Sequence, residues 1–191
     1  MKNDFNDRLQ IAEDTNNMIS QTAVDASSTH VSRSAKKMLT FMEICKNLSV
    51  LSHDQKMKVA TIIVTDSFGE ICSIGYNGDY SGGPNVRADM NHGHSNFLHS
   101  EENALFHLGK PHELRGNLIL MCTHKPCTMC AKRIVNSGIK RVVYETEYTD
   151  TLGQTDEIFS TSAVTCLSIK KLLSSKEILD LYLDHTLRKV F

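Results

Sequence analysis

From residue 34 onward, segments with helix and strand patterns follow one another in an order that few folds can accommodate. The first is a predicted helix over 34–51, capped by Ser34, whose apolar residues recur at helical spacing: Met38, Phe41, Met42, Cys45 and Leu48. Two β-branched runs follow, VATIIVT and EICSIGY, and the turn residues of the intervening DSFG predict a β-hairpin. The domain is therefore expected to begin with a helix and an antiparallel strand pair.

Beyond the hairpin, helix and strand patterns alternate. Helices are predicted over 98–108, from Pro126 to the residue before Gly138, over 155–160, and from Ser174, where Ser-x-x-Glu is typical of a capping box. The runs NLILMCT, KRVVYE and VTCLSI predict the strands between these helices. Because parallel neighbours need crossover helices, this order predicts an α/β fold, a three-layer α/β/α sandwich around a mixed five-stranded sheet.

By composition, the 191 residues divide into a polar arm and one domain. Residues 1–33 are rich in Asn, Asp, Ser and Thr and are predicted to form a polar N-terminal arm, with the domain over 34–191. No apolar run is long enough to cross a bilayer, and the polar start lacks the apolar region of a signal peptide. We therefore expect a cytoplasmic protein.

Charge and aromatic content narrow the class of partner. The net charge is −1, Trp is absent, and 6% of the residues are aromatic. Such a chain has no overall attraction for a polyanion and few rings on which single-stranded bases can stack, which favours a small-molecule partner over nucleic acid. The glycine-rich loop over 77–97 is the expected binding segment, because loops of this length in compact domains usually have a function.

Cys127 and Cys130 stand three residues apart, directly behind Pro126. In the first turn of a helix both sulfurs project from one face, where the helix dipole stabilises the thiolates that bind metal ions. Six cysteines are too few for a disulfide scaffold in a reducing compartment, so a clustered pair favours metal binding or catalysis. A redox pair and two buried core cysteines are the alternatives for this spacing taken alone.

The segment LHSEENALFH supplies further candidates, because His99 opens the predicted helix 98–108 and Glu101 and Glu102 follow it. In a βαβ arrangement, two helix N-termini can direct His99 and both thiols to one point. A His-x-Glu pair followed by Pro-Cys-x-x-Cys is the pattern of zinc deaminases that act on nucleobases. With three protein ligands, such a metal keeps one position open for water.

Four segments resemble the deoxycytidylate deaminase family and together extend over residues 36–168. HSEENAL is similar to its His-Ala-Glu-x-Asn-Ala-Leu box and HKPCTMCAKRIVNSGIKRVVYETEY to its zinc-binding segment, while KVATIIV and GYNG resemble its early strand and substrate loop. The resemblance implies a cytidine deaminase-like fold, Zn²⁺ on His99, Cys127 and Cys130, and hydrolysis of dCMP to dUMP and ammonia. The alternatives are dCTP or both nucleotides as substrates, a tRNA or single-stranded DNA deaminase, and a non-catalytic zinc module.

Spacing alone does not select the glutamate that transfers protons. On a regular helix Glu102 shares a face with His99, whereas Glu101 points toward the same site if His99 is the cap residue with non-helical backbone. The resemblance selects Glu101, which would protonate ring nitrogen 3 of cytosine and then the departing amine.

The resemblance also implies the substrate contacts. Asn77 would hold the sugar, the Ser100 main-chain amide and the Lys125 carbonyl would contact the base, and Tyr148 would stack on it. Turn chemistry in an Asn-Gly pair and packing at a strand end are the ordinary alternatives for Asn77 and Tyr148. A phosphate needs a cation, and the candidates near the predicted loop and hairpin are Arg87, Lys56 and Lys58.

Further predictions concern a second metal and assembly. A structural zinc, found in some members of the family, would fall here on His53, His92 and His94, with three exposed histidines as the alternative. Cys122 could close a structural site of four ligands, although a buried cysteine is typical of its apolar strand. The resemblance further implies a homo-oligomer, with hexamers common in the family, and regulation by dCTP and dTTP.

Overall fold

The computed structural model describes residues 33–91 and 95–183, so the predicted arm lies outside the described residues except for its last one. Contacts within the chain divide it into two units, Met1–Lys36 and Lys37–Phe191. The first unit contributes only residues 33–36 to the description, which form the first turn of a helix. Within the described ranges, no helix combines the length and apolar character needed to cross a membrane.

The predicted elements occur in the predicted order, and a 3₁₀ helix and a short helix after the last strand occur in addition. In chain order they are α1 (Arg33–Ser49), β1 (Ala60–Thr65), β2 (Ile71–Tyr76), α2 (Ser100–Phe106), a 3₁₀ helix (His112–Asn117), β3 (Leu118–His124), α3 (Thr128–Ser137), β4 (Arg141–Thr146), α4 (Thr155–Thr161), β5 (Thr165–Ser168), α5 (Ile169–Leu173) and α6 (Lys176–Leu183). Gly138 ends α3 with a left-handed backbone, as its place behind the predicted helix indicates.

The five strands form one mixed sheet in the order β2-β1-β3-β4-β5. β1 pairs antiparallel with both β2 and β3, whereas the β3–β4 and β4–β5 pairs are parallel. β1 and β3 are buried along almost their whole length, which fits their nearly continuous apolar sequences and helices on both faces of the sheet. The predicted α/β class and three-layer architecture with a mixed five-stranded sheet are confirmed.

The core lies on both sides of the central strands. One side packs β1, β3 and β4 against α2, α3 and α4 through a cluster that includes Ile63, Leu120, Val142, Ala104, Ile134 and Phe159. α1 contacts β1 and β3 through Cys45, whose Sγ lies 3.2 Å from the Ala60 carbonyl oxygen and 3.5 Å from that of Met121. Burial raises the pKa of the Cys45 thiol to about 12, so it remains a neutral core group.

Helix α2 approaches β2 so closely that only glycine fits at position 75. A Cβ at Gly75 would lie 2.2 Å from the Ser100 carbonyl oxygen and 2.4 Å from the Ala104 amide nitrogen. On the same strand, the Ser73 hydroxyl donates to the Ala104 carbonyl oxygen over 2.6 Å. The close approach at Gly75 therefore sets the position of the start of α2 against β2, and the Ser73 bond adds a further link at Ala104.

Two predicted helix caps are wrong. α1 begins at Arg33, one residue before the predicted Ser34 cap. The predicted last helix corresponds to α6, and α5, which precedes Ser174, was not predicted. Ser174 donates to the Lys171 carbonyl oxygen instead of capping a helix. The hydroxyl of Ser175 accepts from the Ile178 amide in its place, so the predicted cap is displaced by one residue.

Candidate active site

His99, Cys127 and Cys130 meet where the N-termini of α2 and α3 converge. His99 is the N-cap residue of α2 and Cys127 that of α3, and both have extended backbones, with φ/ψ of −76°/155° and −72°/169°. His99 Nδ1 lies 3.4 Å from each of the two Sγ atoms, and the three potential ligand atoms lie within 4.8 Å of one another. One imidazole nitrogen and two sulfurs at these separations fit the donor set of a tetrahedral zinc site with one open position.

The pKa values of His99, Cys127 and Cys130, called the trio below, favour a bound cation. Hydrogen bonds from Cys130 and His99 lower the pKa of the Cys127 thiol to about 4, against the opposing effect of burial. The hydrogen bond between His99 and Cys127 raises the pKa of His99 to about 9. The hydrogen bond between Cys130 and Cys127 is the largest cause that raises the pKa of Cys130, and burial raises it further. The lowered pKa favours Cys127 as a thiolate, which is the form of cysteine that binds a metal cation.

Asp150 holds the first turn of α3 from outside the helix. Its carboxylate accepts from the Thr128 amide over 2.7 Å, the Thr128 hydroxyl over 3.0 Å and the Gly153 amide over 2.8 Å. Thr128 directly follows Cys127, so these bonds fix the turn that carries both thiols. Sequence reasoning missed this contact, because 22 residues separate the two partners.

The two glutamates after His99 have different surroundings. Glu101 is 4% exposed and lines the cleft beside the trio, and its Oε2 accepts from the Ser100 hydroxyl over 3.0 Å. Glu102 accepts from the His99 amide over 2.9 Å and pairs with Arg133 over 3.1 Å. Because His99 is the N-cap residue and has a non-helical backbone, Glu101 lines the cleft, whereas Glu102 contacts the His99 amide. Burial raises the pKa of Glu101, while the nearby His99 lowers it.

Most of the predicted substrate residues line one cleft together with His99 and Cys127. The residues of this cleft are Asp54, Lys56, Met57, Val59, Asn77, Arg87, Ser95, His99, Ser100, Glu101, His124, Lys125, Cys127 and Tyr148. Asn77, Ser100, Lys125, Tyr148 and Arg87 are thus brought to the same cleft. Lys58 is exposed and outside this lining, with its ammonium 3.4 Å from the Val50 carbonyl oxygen, so the structure gives its predicted role no support.

Asp54 organises the side of the cleft that carries the cations. It is 2% exposed and pairs with the Arg87 guanidinium, and it also accepts from the Asn77 side-chain amide over 3.2 Å. Asn77 further donates to the Met57 carbonyl oxygen and accepts from the Val59 amide, each over 2.8 Å. Asn77 therefore links the strand ends through its side chain, and the Asp54 partner was not predicted.

Two further cations of the cleft also have partners within the chain. Lys56 donates to the Met90 carbonyl oxygen over 2.6 Å. Lys125 pairs with Asp156 over 2.8 Å and with Glu147 over 3.6 Å, and its ammonium lies 5.7 Å from the centre of the Tyr144 ring. The Lys125 side chain is thus held by acids, which fits a predicted role that uses only its carbonyl group.

The remaining metal predictions fall elsewhere. His53 is exposed, and His92 and His94 lie outside the described residues, so the second zinc site stays a prediction. Cys122 is buried in β3 with its Sγ 3.2 Å from the Thr61 hydroxyl. It is not among the residues whose ligand atoms converge in the described part of the chain, which favours the buried-cysteine alternative.

The fold and the three converging ligands define a zinc-binding deaminase domain, and comparison with known proteins gives its family. Residues 35–146 match the cytidine and deoxycytidylate deaminase zinc-binding region. The chain belongs to this family. ComE operon protein 2 of Bacillus subtilis is 30% identical over 129 residues, which cover 65% of this chain and 67% of that protein.

Two other similar proteins are named as deaminases of deoxycytidylate (dCMP). A deoxycytidylate deaminase of Schizosaccharomyces pombe is 32% identical over 120 residues, which cover 56% of this chain but only 36% of that protein. The crystal structure of a dCMP deaminase from cyanophage S-TIM5, solved in complex with dCMP and dUMP, superposes with a TM-score of 0.60 at 30% identity. That match covers 73% of this chain and 99% of the phage protein.

Proposed function

We propose that this protein is a zinc-dependent deaminase that hydrolyses dCMP to dUMP and ammonia. The observation that carries the proposal is the convergence of His99, Cys127 and Cys130, together with a buried Glu101 that lines the same cleft as His99 and Cys127. The relationship to a phage dCMP deaminase, over nearly all of that protein's length, supports the choice of substrate.

His99, Cys127 and Cys130 would hold the zinc ion, and their donor set fits it. When bound, zinc supplies a water that loses its proton near neutral pH, about 7 instead of about 15.7. The overall reaction replaces the amino group on carbon 4 of cytosine with the oxygen of that water and releases NH₃. Glu101 has the position to take the two protons of the water in turn and to deliver the first to ring nitrogen 3 and the second to the departing amine.

The other residues of the cleft fit a bound nucleotide, because basic side chains line part of the cleft. Arg87 and Lys56 line the cleft together with Asp54, and they would supply the positive charge for a phosphate. Tyr148 also lines the cleft, and its ring would stack on the base. Asn77 would contact the sugar through the second lone pair of Oδ1, because both hydrogens of its amide have partners in Asp54 and Met57.

A substrate panel tests this proposal. Purified protein is incubated with dCMP, dCTP, single-stranded DNA and tRNA, and the products are identified by mass spectrometry alongside ammonia release. We expect dUMP from dCMP at a rate well above that of any other substrate. Fast deamination of dCTP or of a nucleic acid, with dCMP unchanged, would contradict the proposed substrate.

A matched pair of variants tests the role of the glutamates. Glu101→Gln should abolish turnover while zinc stays bound, because the amide cannot carry the proton. Glu102→Gln should keep most of the activity, since Glu102 contacts the His99 amide and Arg133. The opposite pattern would assign proton transfer to Glu102.

A non-catalytic zinc module needs a fourth protein ligand, and the described residues offer none at the trio. A cytoplasmic location, a homo-oligomer such as a hexamer, and regulation by dCTP and dTTP stay predictions.

A further inference from the structure

A buried row of polar side chains continues behind Glu101, away from the metal ligands. The Ser100 hydroxyl lies 3.0 Å from Glu101 Oε2 and 2.8 Å from the Thr61 hydroxyl. The Thr61 hydroxyl lies 3.2 Å from Cys122 Sγ. Ser100, Thr61 and Cys122 are each 0% exposed, so water does not compete for these hydrogen bonds.

The number of available protons decides which atom donates in each hydrogen bond of this row. An ionised carboxylate only accepts hydrogen bonds, and each hydroxyl has one proton to donate. Ser100 therefore donates to Glu101 Oε2, and its own oxygen is left to accept the proton of the Thr61 hydroxyl. Because Thr61 has only this one proton, the Cys122 thiol is then the donor in the contact between Cys122 and the Thr61 oxygen. Thr61 lies in β1, an inner strand of the sheet that is buried along all but its last residue, so the row joins the carboxylate to a buried strand.

We propose that Ser100 and Thr61 are positioning residues, which hold Oε2 of Glu101 so that Oε1 is the oxygen that exchanges protons with the substrate. This inference rests on the proposed function. A glutamate side chain has three rotatable bonds, and proton transfer requires its oxygen within hydrogen-bond reach of the reacting atom. A hydrogen bond to a charged group in a buried site is strong enough to select one arrangement of the carboxylate.

A purely structural role is the alternative, because the Thr61–Ser100 bond also joins β1 to α2. The structure offers a matched control in Ser73, whose buried hydroxyl joins β2 to the same helix through the Ala104 carbonyl oxygen over 2.6 Å. Ser73 makes this contact away from Glu101. Loss of its hydroxyl removes a comparable bond without touching the carboxylate.

The experiment compares Ser100→Ala, Thr61→Val, Thr61→Ser and Ser73→Ala with the wild-type protein. For each, kcat and KM for dCMP, zinc content and melting temperature are measured. We expect kcat to fall about tenfold in Ser100→Ala and about threefold in Thr61→Val, with KM and zinc content near the wild-type values. Thr61→Ser restores the hydroxyl and should restore kcat, and Ser73→Ala should change the melting temperature more than kcat.

The outcomes separate this inference from the proposed function. A kcat for Ser100→Ala within about twofold of wild type, or an equal loss in Ser73→Ala, would overturn the positioning role while dCMP deamination stands. If Ser100→Ala does not fold, the comparison of Thr61→Val with Thr61→Ser decides in the same way. A wild-type protein that releases no ammonia from dCMP would refute the proposed function, and the inference with it.

Discussion

Replacement of Gly75 by alanine should separate α2 from the sheet and misplace the groups that α2 carries. The new Cβ would lie 2.2 Å from the Ser100 carbonyl oxygen and 2.4 Å from the Ala104 amide nitrogen, both of them backbone atoms. Ordinary contacts of this kind are longer by roughly 1 Å, so the start of α2 must move by about that distance. Overpacking of this kind typically costs about 1–3 kcal/mol, and a 1 Å displacement of a catalytic group costs about 100-fold in rate.

The assay combines thermal unfolding, zinc content and dCMP turnover. Gly109→Ala is the matched control, because its Cβ would meet no atom within 4 Å. We expect Gly75→Ala to lose several degrees of melting temperature and about 100-fold in kcat/KM, and Gly109→Ala to stay within about twofold of wild type. Wild-type stability and turnover in Gly75→Ala would show that α2 does not depend on this close approach.

Two further predictions concern the surroundings of the site. Asp150→Ala removes the bonds to Thr128 and should weaken zinc binding about 10–100-fold in a chelator competition, whereas Glu157→Ala, an exposed acid of α4, should not. Burial lowers the pKa of His124 against the opposing effect of Glu145, so the folded chain binds this proton less readily than the unfolded chain, whose pKa is about 6.5. The contribution of His124 to stability is therefore complete above about pH 6.5 and is lost as the pH falls through the folded pKa. Between about pH 7.5 and 5.5, the melting temperature of His124→Gln should decline less than that of the wild-type protein. An equal decline in both proteins would exclude His124 as a source of the pH dependence.

The sheet was predictable because burial leaves a direct trace in the sequence. The apolar runs of β1 and β3 are nearly continuous, as expected for strands covered on both faces. The order of helices and strands then fixed which strands run parallel. Helix ends were less predictable, since the choice between Ser174 and Ser175 as a cap depends on where α5 ends.

The convergence of the candidate metal ligands was predictable because their spacing places them at two helix starts, His99 at one and Cys127 at the other. The polar contacts around them were not. Asp54 meets Arg87 across 33 positions and Asp150 meets Thr128 across 22, and no local pattern marks either pair. The choice between the two glutamates likewise depended on the backbone of His99, which spacing alone leaves open.

Metal analysis of the purified wild-type protein and of His99→Ala and Cys130→Ser tests the central claim most directly. Zinc per chain is determined by elemental analysis, and dCMP turnover is measured before and after treatment with a chelator. We expect about one tightly held zinc per wild-type chain, turnover that chelation abolishes and added zinc restores, and loss of both zinc and turnover in the two variants. Full turnover in a metal-free wild-type protein, or zinc retained at wild-type affinity in both variants, would contradict it.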